Sequence, residues 1–119
     1  MNKTIAIVED NTDIAYILEY FLSEEGYKVL LYPDATTFLN DYTSHLPDIF
    51  LFDIRLPDGD GIDLCNRVKA NPVAKGLPVL LMSAHSPAER VNKESSADGF
   101  IKKPFDLDNV KTQLSELVS

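Results

Sequence analysis

Short apolar runs alternate with amphipathic segments along the whole chain. Residues 49–52 and 79–82 are apolar at every position, which is typical of strands buried on both faces of a sheet. After the first run, apolar residues recur at helical spacing from Ile14 to Leu22, and Gly26 ends that pattern. The runs that predict strands are 4–8, 28–32, 49–52, 79–82 and 99–101.

A helix is predicted after each of these five strands. Asn11 and Asp106 can cap the first and last helices, because their side chains accept hydrogen bonds from the open N–H groups of the first turn. The fourth helix, over about residues 87–95, is short. Apolar strands that alternate with amphipathic helices predict an α/β fold: a doubly wound, five-stranded parallel sheet with helices on both faces.

Reactive polar residues lie at the ends of four predicted strands. Glu9 and Asp10 follow the first strand, Asp53 the third, Ser83 the fourth and Lys103 the fifth. In open parallel sheets, ligands bind beyond the carboxyl ends of the strands, where the winding direction reverses. We therefore expect three carboxylates, a hydroxyl and an ammonium group to meet in one cleft.

Clustered carboxylates repel one another, and a hard divalent cation such as Mg²⁺ relieves that repulsion. Asp10 and Asp53 are predicted as direct ligands, Glu9 as a ligand either directly or through water, and Arg55 as the donor of a backbone carbonyl. A carboxylate beside Mg²⁺ can also attack phosphorus and form an aspartyl phosphate, here on Asp53. Lys103 would then hold a phosphoryl oxygen as a point charge.

Four motifs occur in order, separated by helix-length segments: IAIVEDN, LFDIRLPDGDG, PVLLMSAHS and GFIKKPFD. Together they resemble the receiver domains of two-component response regulators, the CheY-like family, and the resemblance covers the chain from end to end. It implies a flavodoxin-like fold with strand order 2-1-3-4-5 and five flanking helices. It also implies that residues 1–119 form one receiver domain, either a stand-alone regulator or part of a longer protein.

The resemblance implies a phosphorylation-dependent signalling role rather than a conventional enzyme. Asp53 would accept a phosphoryl group from a sensor histidine kinase or a histidine phosphotransfer protein, and Lys103 matches the family's invariant lysine. Ser83 matches the switch hydroxyl, which can donate to a phosphoryl oxygen, and Phe100 matches the switch aromatic. Pro104 matches a proline that often follows a cis peptide bond. The signal would pass to a downstream protein partner or a fused output domain.

Three residues depart from the common pattern or flank the site. Phe100 stands where the family often has Tyr, so its inward and outward states would differ mainly in apolar burial. Arg55 and His85 each lie two residues beyond a predicted site residue. We expect both to influence the lifetime of the aspartyl phosphate.

The formal net charge of −8 comes from 19 acidic and 11 basic residues. This balance argues against direct binding to nucleic acid or to an anionic membrane, since both require clustered positive charge. No apolar run is long enough to span a bilayer, and no signal peptide is visible, so the cytoplasm is expected. The single cysteine, Cys65, lies on an apolar helix face, which indicates packing.

Two other functions use similar residues. A haloacid-dehalogenase-type phosphohydrolase also combines a nucleophilic Asp with Mg²⁺, but it needs a second acid two residues later, where this chain has Arg55. A degenerate receiver would act as a phosphorylation-independent interaction module. The presence of Asp10, Asp53, Ser83 and Lys103 argues against that reading.

Overall fold

The computed structural model describes residues 3–84 and 88–118. The strands in this part of the chain are β1 (Thr4–Val8), β2 (Lys28–Tyr32), β3 (Ile49–Asp53), β4 (Arg55–Leu56), β5 (Gly59–Asp60), β6 (Val79–Ser83) and β7 (Gly99–Lys102). The helices are α1 (Thr12–Glu24), α2 (Ala35–Asp41), α3 (Gly61–Ala70), α4 (Ala88–Glu94) and α5 (Leu107–Val118). Within these two ranges, no helix is long and apolar enough to cross a membrane.

Five strands form a parallel sheet in the order β2-β1-β3-β6-β7. This confirms the predicted order 2-1-3-4-5, because β6 and β7 are the fourth and fifth strands of the sheet. The remaining strands, β4 and β5, form a separate antiparallel ribbon in which Arg55 pairs with Asp60. The sequence predicts a turn over residues 57–61 but no strands beside it, so the ribbon is an additional element.

The two faces of the sheet are packed with different side chains. The face covered by α1 and α5 is almost entirely aliphatic, with residues such as Ile5, Leu51 and Leu114 fully buried. The opposite face, under α2, α3 and α4, contains an aromatic cluster in which Phe38 lies 5.1 Å from Phe52 between ring centroids. Alternate residues of β3 supply both faces, as the two-residue period of a strand requires.

Helix ends follow the capping residues of the sequence. The side chain of Asn11 accepts a hydrogen bond from the Ile14 N–H at 3.1 Å, and Asp106 accepts one from the Asp108 N–H at 2.8 Å. Gly26, with φ of 96°, adopts the left-handed conformation just beyond α1. Helix α4 spans only seven residues, which agrees with the predicted short helix.

Candidate functional site at the carboxyl edge of the sheet

The carboxyl ends of β1, β3, β6 and β7 meet at one edge of the sheet. The parallel register aligns Asp53 with Met82 and Ser83 with Lys102, so the residues at these strand ends come close together. A cleft of about 460 Å³ opens at this edge. Its lining includes every predicted side chain of the cleft: Glu9, Asp10, Asp53, Ser83 and Lys103.

Lys103 lies between two of the carboxylates. Its Nζ atom is 2.7 Å from Glu9 Oε1 and 3.3 Å from Asp53 Oδ2. The backbone N–H of Lys103 donates to the carbonyl of Ser83 at 2.9 Å, so the chain is still held against β6 at this point. One ammonium group is therefore shared by two acids, in a place where its own side chain is only 13% exposed.

Glu9 is the most deeply buried acid of the cleft. Burial raises the pKa of Glu9 to about 7, although the hydrogen bond from Lys103 opposes the shift. Glu9 Oε2 also accepts a hydrogen bond from the Asn11 N–H at 3.1 Å, and the nearby Asp53 raises the pKa further. Three acids therefore share the cleft with Lys103, and burial favours the neutral form of one of them, Glu9.

The donor atoms of the cleft fit a hard divalent cation. Glu9, Asp10 and Asp53 each offer a carboxylate oxygen, and these oxygens all lie within 4.8 Å of one another. Two of the acids are buried, whereas Asp10 is exposed at the mouth of the cleft. An all-oxygen set that combines few protein carboxylates with open access to water is the arrangement that suits Mg²⁺.

The backbone that carries Asp53 is tightly held. The next residue, Ile54, donates its N–H to the Met82 carbonyl at 3.0 Å and accepts from the Gly61 N–H at 2.7 Å. A Cβ atom on Gly61 would collide with the carbonyl oxygen of Asp53. Glycine at this position therefore lets the start of α3 lie directly against the strand end that presents Asp53.

The other predicted residues lie around the cleft. Ser83 is buried at the end of β6, and Arg55 is exposed at the start of the ribbon, on the cleft wall. Phe100 is half-buried and packs against the aromatic face of the sheet. The Lys103–Pro104 peptide bond is cis, as the resemblance implies. His85, the second residue expected to influence phosphoryl lifetime, lies outside the described residues.

Sequence reasoning missed two contacts of the ribbon. Asp58, at its tip, accepts hydrogen bonds from the first residues of α2, and Asp60, at its end, pairs with Arg90 of α4 at 2.9 Å. The cluster of Pro, Asp and Gly at 57–61 indicates a turn but not these partners. Nothing in the local sequence identifies α2 and α4 as the neighbours, because both lie more than 20 residues away.

Comparison with known proteins identifies the family. Residues 5–115 match the family described as the response regulator receiver domain. The sporulation initiation phosphotransferase F of Bacillus subtilis is 30% identical over 113 residues, covering 93% of this chain and 90% of that protein. A crystal structure of a putative response regulator from Chloroflexus aurantiacus superimposes with a TM-score of 0.92 at 30% identity, covering 99% and 98% of the two chains. The chain belongs to the response regulator receiver domains, which are signalling modules of two-component systems.

Several relatives are considerably longer than this chain. The transcriptional regulatory protein YxdJ of Bacillus subtilis is 32% identical over 120 residues, which cover 99% of this chain but only 51% of that protein. The region similar to this chain thus makes up nearly all of one relative and about half of another.

Proposed function

We propose that Asp53 accepts a phosphoryl group from a phosphohistidine on a sensor histidine kinase or a histidine phosphotransfer protein, and that this modification switches a partner-binding face. The single observation that carries the proposal is the position of Lys103, whose ammonium contacts both Asp53 and Glu9. A fixed positive charge beside a carboxylate nucleophile stabilises the charge that develops on a transferring phosphoryl group.

In the proposed step, a carboxylate oxygen of Asp53 attacks phosphorus and forms a new O–P bond. The P–N bond to the donor imidazole breaks, and its electron pair stays on the nitrogen, which takes up a proton. When bound, Mg²⁺ would neutralise part of the negative charge on the phosphoryl oxygens. Asp10 and Asp53 would hold the ion directly, with Glu9 binding directly or through water and the Arg55 carbonyl adding an oxygen.

The remaining residues of the cleft respond to the new group. The phosphoryl group carries about 1.5 to 2 negative charges and strong acceptor oxygens, while Asp53 loses its own carboxylate charge when the acyl phosphate forms. Lys103 pairs with one phosphoryl oxygen, and the Ser83 hydroxyl moves to donate to another. The space that Ser83 leaves admits the ring of Phe100, whose half-buried position supports such a movement. The α4–β7–α5 face then changes shape, as a shift between two populated states of one fold.

The signal passes to a downstream protein partner or to an output domain fused to the receiver. Residues 1–119 form one receiver domain in this proposal. The longer transcriptional regulators among the relatives support a fused output, and the phosphotransferase that is nearly covered by the chain supports a separate partner. The net charge of −8 supports action through proteins rather than through direct contact with nucleic acid or membrane. The compartment in this proposal is the cytoplasm, whose reducing conditions suit the free thiol of Cys65.

Incubation with acetyl phosphate and Mg²⁺, followed by intact-mass measurement, tests the proposal. We expect a gain of one phosphoryl group that is removed by hydroxylamine, requires Mg²⁺ and is absent from Asp53→Asn. Because some receivers resist small donors, a phosphorylated histidine phosphotransfer domain provides the second donor. No gain with either donor, or a gain that persists in Asp53→Asn, contradicts the proposal. Steady turnover of varied phosphate esters would instead support a phosphohydrolase.

A further inference from the structure

The ribbon beside Asp53 is anchored at its tip by one side chain. Both carboxylate oxygens of Asp58 accept hydrogen bonds: Oδ1 from the Ala35 N–H at 2.9 Å, and Oδ2 from the Thr36 N–H at 2.8 Å. The Thr36 hydroxyl donates to Oδ2 as well. These bonds lower the pKa of Asp58, so it remains a carboxylate acceptor at neutral pH. An otherwise exposed loop is thereby tied to the start of α2.

The ribbon is also held at its base, by the backbone bonds of Ile54 and by the pairing of Arg55 with Asp60. Ile54 is bonded to Met82 and Gly61, as described above. The direction of the Arg55 carbonyl depends on the next peptide unit, which joins Arg55 to Leu56 and so belongs to the ribbon. The orientation of this carbonyl therefore follows the course of the ribbon, which is held at the tip by Asp58 and at its end by the pair of Asp60 with Arg90.

We propose that Asp58 is a positioning residue for the phosphoacceptor site: by tying the ribbon to α2, it holds the Arg55 carbonyl in place toward the carboxylates of the cleft. The proposal deepens the function assigned above and rests on it. Asp58 touches neither the cation nor the phosphoryl group, and it acts only through the ribbon. Loss of the tie would leave Asp10 and Asp53 in place while removing a pre-oriented oxygen.

The chain offers a matched control on the same helix. Asp34 directly precedes α2 and is its N-cap residue: its side chain accepts a hydrogen bond from the Thr37 N–H at 2.7 Å and makes no bond to the ribbon. Asp34→Ala and Asp58→Ala both remove carboxylate caps from the first turn of α2, so both are expected to lower the urea midpoint of unfolding. Only Asp58→Ala releases the tip of the ribbon.

Calorimetric titration with MgCl₂, at a temperature where circular dichroism shows each variant folded, separates the two roles. We expect Asp58→Ala to raise the Mg²⁺ dissociation constant by roughly tenfold, the lower end of the loss seen when a metal ligand's supporting partner is removed. Asp34→Ala should leave it unchanged. Asp58→Asn keeps one acceptor oxygen and should fall between Asp58→Ala and the wild type. Amide exchange over residues 55–60 should increase in Asp58→Ala and not in Asp34→Ala.

If Asp58→Ala does not fold, Thr36→Val removes only the hydroxyl bond and should weaken Mg²⁺ binding in the same direction by a smaller factor. Equal Mg²⁺ affinity in the wild type and Asp58→Ala overturns the positioning role, and so does an equal loss in Asp34→Ala and Asp58→Ala. In both cases the proposed function stands. A wild-type protein that neither binds Mg²⁺ nor takes up a phosphoryl group overturns both.

Discussion

Two lysine–carboxylate pairs at opposite edges of the sheet have the same geometry but different surroundings. At the carboxyl edge, Lys103 Nζ lies 2.7 Å from Glu9 Oε1, and at the amino edge, Lys69 Nζ lies 2.7 Å from Asp98 Oδ2. Both lysine side chains are largely buried, at 13% and 17% exposure. Distance and burial alone would therefore assign the two pairs the same role.

The difference lies in the charge around each pair. Among the residues that the structure describes, Lys69 pairs with one carboxylate, that of Asp98, and also donates to the Leu77 carbonyl. Asp98 in turn accepts from the Val79 N–H. Positive and negative charge are balanced there, and the polar atoms join α3 to the starts of β6 and β7. At the carboxyl edge, one lysine contacts two carboxylates, and a third, that of Asp10, lies within 4.8 Å of them. A surplus of carboxylate in an open cleft, rather than the ion pair itself, distinguishes a candidate reactive site from a structural one.

Removal of Lys103 should have the largest effect on chemistry. We expect Lys103→Met to slow phosphorylation by acetyl phosphate by roughly 100-fold, the magnitude typical of losing one donor to a developing anion. Mg²⁺ should bind at least as tightly, because no ammonium group competes for the carboxylates. Quenched intact-mass time courses measure the rate, and an unchanged rate would remove Lys103 from the mechanism.

The burial of Glu9 should also give the metal-free protein a specific pH dependence. The pKa of Glu9 is about 7 in the fold and 4.5 ordinarily, so the folded state retains a proton that the unfolded state releases. The free energy of unfolding should fall as the pH rises from about 4.5 to 7, on the order of 2–3 kcal/mol relative to Glu9→Gln. Urea unfolding of both proteins in EDTA measures this difference. A free energy of unfolding that rises with pH in the wild type relative to Glu9→Gln contradicts the assignment.

The balanced pair should matter for stability and not for chemistry. Lys69→Met leaves the Asp98 carboxylate without its cation, and we expect the free energy of unfolding to fall by about 1–3 kcal/mol. Phosphorylation and Mg²⁺ affinity should stay at wild-type values, because the pair lies at the far edge of the sheet. Urea unfolding gives the first quantity and calorimetric titration the second. A loss of Mg²⁺ affinity would mean that the two edges are coupled.

A third pair extends the comparison to the surface. Lys111 Nζ lies 2.9 Å from Glu25 Oε1, but the lysine side chain is 51% exposed. Solvent and salt screen such a pair, so Lys111→Met should change neither the urea midpoint nor the phosphorylation rate measurably. A clear shift in either quantity would contradict this expectation. It would mean that a short N–O distance makes an ion pair matter even when its lysine is exposed to solvent.

The order of strands and helices and most residues of the cleft could be predicted from the sequence. Glu9, Asp10 and Asp53 directly follow or end apolar strands, and parallel topology brings strand ends together whatever the loops do. The detailed charge balance was not predictable. That Glu9 is buried against Lys103 depends on side-chain packing between residues 94 positions apart. The positions of Glu9 and Lys103 after two strands of the sheet indicate that they lie near one another. They do not indicate that burial would raise the pKa of Glu9.

The ribbon contacts show a second limit of sequence reasoning. Residues 57–61 carry strong turn chemistry, which predicts where the chain reverses. Whether Asp58 then reaches solvent or the start of α2 depends on how α2 packs against the sheet through Phe38 and its aromatic neighbours. Local signals describe the turn, whereas its partners are a property of the assembled fold.

Binding of beryllofluoride, a phosphoryl mimic, followed by ¹⁹F NMR tests the phosphoacceptor role of Asp53 most directly. We expect a bound resonance that requires Mg²⁺, is present in the wild type and in Lys69→Met, and disappears in Asp53→Asn. A bound resonance that survives Asp53→Asn, or none in the wild type with Mg²⁺ present, would contradict the assignment of the carboxyl-edge cleft as the phosphoacceptor site.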